Sequence, residues 1–140
     1  MRYLGLDLGS KTLGVAISDT SLVIASVLTT LRFPDENYDL LLPPLREILF
    51  SNKIEKIILG YPLNMDGTVG LRATITLAFK KKLEEEFGLE VILEDERLTS
   101  VISNQILLEA DLSRKKRKKK VDGLAAQIIL QSYLDRKGEK

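Results

Sequence analysis

The sequence predicts a single α/β domain: a mixed five-stranded sheet, three strands in an antiparallel meander and two parallel, flanked by helices. Three observations predict it. Two alternating stretches near the start are joined by a four-residue turn. Two later apolar runs are separated by helix-length connections, which sets them parallel to their sheet neighbours. The composition, 140 residues with 44% hydrophobic and 29% charged, is that of one globular domain able to bury a core, expected over residues 1–140.

Each element can be justified in order. Residues 2–9 and 13–19 read as strands: Leu4, Leu6 and Leu8 alternate with Tyr3, Gly5, Asp7 and Gly9, the period-2 pattern of a strand with two different faces. Gly9-Ser10-Lys11-Thr12 is the hairpin turn. A third strand over Ile24–Arg32 extends the meander until Pro34 and Asp35. Leu40–Phe50 is helix-like, with Pro43 and Pro44 either breaking it or restarting it with proline in the first turn. Ile54–Gly60 is a short apolar run typical of a buried strand. In the loop YPLNMDG, Asn64 and Asp66 suit a turn, with substrate contact the lesser alternative. Thr68–Phe87, rich in Lys and Glu, is a helix stopped by Gly88. Leu89–Leu93 is the last strand, and EDERLTS leads into a helix over about Val101–Ala110, with Thr99 or Ser100 as its cap. Val121 to about Leu134 forms the final helix.

Composition also narrows the chemistry. Without cysteine there is no disulfide or thiolate chemistry, and without histidine no His-based triad or imidazole metal ligand. Catalysis must then rest on carboxylates, hydroxyls, lysines or a bound metal. No apolar run approaches the roughly 20 residues of a membrane span, and the N-terminus moves directly into a strand with no secretory signal.

The net charge of +1 conceals an asymmetry. Arg114, Lys115, Lys116, Arg117, Lys118, Lys119 and Lys120 are consecutive, and outside them 14 basic residues face 20 acidic ones, about −6 by formal count. An acidic body with one concentrated basic segment fits contact with a polyanion; a solvated, mobile loop is the plainer alternative.

Asp7 interrupts a strand that is otherwise apolar, and a carboxylate there needs a partner, a cation or a proton. Glu96 lies in the corner after the last strand, where a surface loop would also account for it. Asp122 lies in the first turn of the final helix, where the helix dipole would also favour it. Converging on the rim at the C-terminal ends of the parallel strands, the three would repel unless a cation lay between them. Hard Mg²⁺ or Mn²⁺ ions, one or two, suit oxygen ligands and hydrolyse phosphodiesters by activating water and stabilising the leaving oxygen.

The segments LGLDLGSKTLGVAISD, IILGYPLNMDG, EDERLTS and KKVDGLAAQIILQSYL, in that order, resemble the YqgF (RuvX) family nearly end to end. The resemblance implies a ribonuclease H-like fold and a hydrolase, a metal-dependent endonuclease of structured RNA or branched DNA. Its expected substrates are the 16S ribosomal RNA precursor or Holliday junctions, and its setting the bacterial cytoplasm. It also implies Asp7, Glu96 and Asp122 as the family's acidic residues. Many ribonuclease H-like proteins carry an acid at the end of the fourth strand, where this chain has Ile58-Leu59-Gly60-Tyr61-Pro62; the third ligand must then come from Glu96, or the metal site is weaker than in those relatives. Lys11, with the amides of its turn, could hold a phosphate, as could Arg97; a tight hairpin and a structural ion pair are the respective alternatives. Tyr61 could stack on a base or sit half-buried. A monomer or weak homodimer is expected. Two other functions stay open: a non-catalytic RNA-binding ribosome-assembly factor, and a nucleotide-phosphate-binding protein of the actin-like superfamily, whose first phosphate loop GLDLGSKTLGVAISD also resembles.

Overall fold

The alternation at the start folds as a hairpin. In the computed structural model, which describes residues 1–34, 37–96 and 114–138 (backbone alone at 114–122 and 138), β1 (Arg2–Leu8) pairs antiparallel with β2 (Thr12–Ser18). The Gly9 amide closes the turn on the Thr12 carbonyl at 2.8 Å. β3 (Ala25–Arg32) pairs antiparallel with β2. The connection between them is organised by Asp19, whose carboxylate accepts hydrogen bonds from the Ser21 hydroxyl and the Val23 and Ile24 amides; these bonds hold its pKa down at about 2.

A 3₁₀ turn (Tyr38–Leu41) runs into α1 (Leu42–Ser51), with Pro43 and Pro44 in the first turn of that helix. The prolines restart the helix, because a first-turn amide has no intrahelical partner to lose. β4 (Ile54–Tyr61) and β5 (Glu90–Asp95) lie parallel to β1, giving the order β3-β2-β1-β4-β5. Between them α2 (Leu71–Phe87) begins three residues later than the sequence predicts. Asn64, Asp66 and Thr68 are engaged in a turn: the Asp66 carboxylate accepts from the Thr68 amide at 3.0 Å and hydroxyl at 2.6 Å, while the Asn64 side chain donates to that hydroxyl at 2.9 Å. Gly88, with φ of 67°, ends α2 as expected.

The last helix, α3 (Arg114–Gly138), differs from expectation, since it contains the basic run that was placed before it. Lys and Arg are straight-chain residues with good helix propensity, and no Gly or Pro interrupts them before Gly123. The helix predicted over Val101–Ala110 lies outside the described residues, as do Thr99 and Ser100.

The strand alternation sorts side chains onto two cores. Leu4, Leu6, Leu8, Leu13, Val15, Ile57 and Leu59 pack with Leu41, Leu45, Phe79 and Leu83 from the α1–α2 side. Tyr3, Ala16, Ala25 and Ile58 face Ala126, Ile129, Leu130 and Leu134 of α3. That helix lies unusually close to the sheet: a Cβ on Gly5 would stand 2.7 Å from the Leu130 Cβ and 2.9 Å from the Ala126 carbonyl oxygen. It is also fastened along β3. Gln131 accepts from the Ala25 amide at 2.8 Å and donates to the Val23 carbonyl at 2.8 Å, and Gln127 donates to the Ala25 carbonyl at 3.0 Å.

Candidate active site

Parallel pairing without slippage keeps neighbouring residues on the same face. Leu6 is level with Leu59, so Asp7 is level with Gly60, which is paired with Glu94 of β5. The rung therefore reads acid, glycine, acid across β1, β4 and β5, on the face that α3 covers. Glu94, 2% exposed, is already spoken for: Arg136 of α3 forks it at 2.5 and 3.0 Å, which makes it a structural ion pair. Glu96 follows β5 by one residue and, two positions beyond Glu94, returns to the same face.

The Glu96 side chain leans back across β4 and shares a hydrogen bond with Asp7. Its pKa is pushed up to about 9; burial is the main cause, followed by the charge of Asp7 and the bond between them, with Asp95 adding to the effect. The Arg72 guanidinium pulls the other way. At neutral pH the pair thus holds a proton where two negative charges would otherwise meet. Arg72, in the first turn of α2, also donates to the Leu8 carbonyl at 3.2 Å, one residue past Asp7.

The other predicted site residues stand as follows. Lys11 is exposed at the tip of the β1–β2 turn, at the end of β1 nearest Asp7. Asp122 lies in α3 immediately before Gly123, a position that packs against Val27 of β3; its side chain is outside the described residues. The same holds for the side chains of Arg114, Lys115, Lys116, Arg117, Lys118, Lys119 and Lys120, whose backbone forms the first turns of α3. Arg97 is wholly outside the described residues. Tyr61 is half-buried at the end of β4. Among the described residues no group of three or more acidic side chains gathers around one metal position, and no helix is long and apolar enough to cross a membrane.

Sequence reasoning missed Arg72. With the helix expected from Thr68 it fell beyond the first turn; a start at Leu71 sets this cation against the helix dipole, which calls for an acidic partner nearby.

A five-stranded sheet in this order, with carboxylates meeting at the C-terminal rim of its parallel strands, defines a ribonuclease H-like domain. RuvC from Thermus thermophilus in complex with its Holliday junction substrate has the same fold, with a TM-score of 0.59 at 13% identity over 98% of this chain and 96% of that one. The family model described as "RuvX: Holliday junction resolvase" matches residues 1–136, and the chain belongs to that family. Relatives named "Putative pre-16S rRNA nuclease" include one from Geobacillus sp. (strain WCH70), 50% identical over 98% of this chain and 99% of its own length. Another, from Bacillus subtilis (strain 168), is 47% identical over 96% of this chain and 98% of its own.

Proposed function

We propose that this chain is a divalent-metal-dependent endonuclease of structured nucleic acid, with the 16S ribosomal RNA precursor as the favoured substrate and branched DNA as the second. One observation carries the reading: two carboxylates from separate segments, Asp7 in β1 and Glu96 just past β5, are held in contact at the rim, where burial and their mutual repulsion work against a second negative charge. Such a donor set fits a hard cation, since carboxylate oxygens are the ligands that Mg²⁺ and Mn²⁺ prefer. Asp7 and Glu96, joined by Asp122, would hold it. When bound, the ion would supply polarisation of the scissile phosphate and a water nucleophile competent near neutral pH.

The protein's own groups do the rest. Asp7 is fixed by β1, and Glu96 would give up its proton to solvent in order to act as a ligand. Arg72 contributes positive charge at the rim where phosphate charge accumulates. Lys11, Arg97 and the basic turns of α3 draw in the nucleic-acid backbone. The choice of ribosomal RNA precursor follows the name carried by relatives at about half identity.

The test is cleavage of end-labelled 16S precursor RNA and of a four-way DNA junction, with and without Mn²⁺. Asp7→Asn should lower the rate by at least about a hundredfold while nucleic-acid binding persists. Wild-type protein that binds both substrates with Mn²⁺ present and cuts neither would leave the non-catalytic RNA-binding reading in its place.

A further inference from the structure

We propose that Gly60 is a positioning residue, its missing side chain providing the space through which Glu96 crosses β4 to reach Asp7. The inference rests on the nuclease reading for its role in turnover, and on geometry alone for its structural part. β1 and β5 are not neighbours; β4 runs between them. With adjacent strands about 4.8 Å apart, acids on β1 and β5 stand roughly 10 Å from one another, too far for direct contact between short side chains. Glu96 closes that gap by folding back over β4 at residue 60.

The room for this is specific. A Cβ built on Gly60 would lie 2.9 Å from the Glu96 carboxyl carbon, 3.0 Å from its Cγ and 2.6 Å from the Ile129 Cδ1. The Ile129 methyl is the far end of a side chain that can turn aside at little cost. Glu96 can turn aside too, but the atoms that must move are those that carry its carboxyl to Asp7. A side chain at position 60 therefore competes with Glu96 for the space in which the two carboxylates meet. A glycine inside an otherwise apolar strand commonly marks close approach of another group, and here that group is the carboxyl of Glu96.

Gly60→Ala strains both contacts, so the decisive variant is Gly60→Ala with Ile129→Val, which removes the Cδ1 methyl and leaves only the clash with Glu96. It is compared with Ile129→Val alone. Thermal melts of the two should agree within a few degrees. Calorimetric titration with Mn²⁺ alone should show binding weakened by about 10–100-fold in the double variant. Its kcat on the four-way DNA junction and the precursor RNA should fall by a similar factor while KM holds, because the backbone-binding cations are elsewhere.

Equal Mn²⁺ affinity and equal cleavage in the two proteins would overturn the proposal. So would a crystal structure of the unaltered protein with Mn²⁺ in which the Glu96 carboxyl points away from Gly60, an arm that needs no variant to fold. Failure of the nuclease reading looks different: the unaltered protein cuts neither substrate, yet Mn²⁺ affinity still separates the two variants.

Discussion

Glu96 keeps its proton in the folded protein up to about pH 9, whereas the unfolded chain gives it up near the ordinary 4.5. Between these values folding takes up a proton, so stability is greatest at the acidic end and is lost as pH rises toward 9. The metal-free protein should show a melting temperature that falls from pH 5 to pH 9. Glu96→Gln should flatten that slope and stabilise the protein at pH 8 by roughly 1–3 kcal/mol, while abolishing cleavage. A variant no more stable than wild type at pH 8 would contradict this account of the pair. Asp7 was legible from the sequence because a carboxylate inside Tyr-Leu-Gly-Leu-Asp-Leu has no other local explanation. Glu96 was legible only as one acid among several after β5. What makes it special is the reach across β4 to Asp7, and strand order, which sets that reach, is not a local property of the chain.

At the level of elements, α3 carries most of the consequences. Its close seat on β1 depends on Gly5. Gly5→Ala should destabilise the protein by about 1–3 kcal/mol through overpacking against the Leu130 Cβ and the Ala126 carbonyl, as chemical denaturation would register. An unchanged denaturation midpoint would mean the helix can retreat without loss. The basic turns of the same helix make a separate prediction. If all seven charges meet phosphates, the logarithm of duplex affinity should fall with the logarithm of salt at a slope of about −6, and serine in place of the run should flatten it. An identical slope would clear the run of that role. The strand periodicities, the parallel pair and the proline-started α1 could be read from local pattern. The N-terminal reach of α3 could not, because a lysine-rich stretch has the composition of a solvated loop and the propensity of a helix at once.

Across the whole molecule, the two cores on opposite faces hold the sheet rigid while its C-terminal rim gathers the acids. Ion binding to the folded state alone should then appear as global stabilisation. Mn²⁺ at a hundred times its dissociation constant should add about 2.7 kcal/mol and raise the melting temperature. Near neutral pH it should also release close to one proton, read by calorimetry in buffers of different ionisation enthalpy. Absence of both effects would remove the metal from the proposed function.

The continuity of α3 has a final consequence. Its opening turns are seven consecutive cations, set at the helix end where the backbone dipole is itself positive. Seven like charges in sequence repel one another, and on the proposed function a phosphate chain laid along them would supply counter-charge. On the proposed function, the affinity for a nucleic acid would then vary with any solute that shields the tip of this helix.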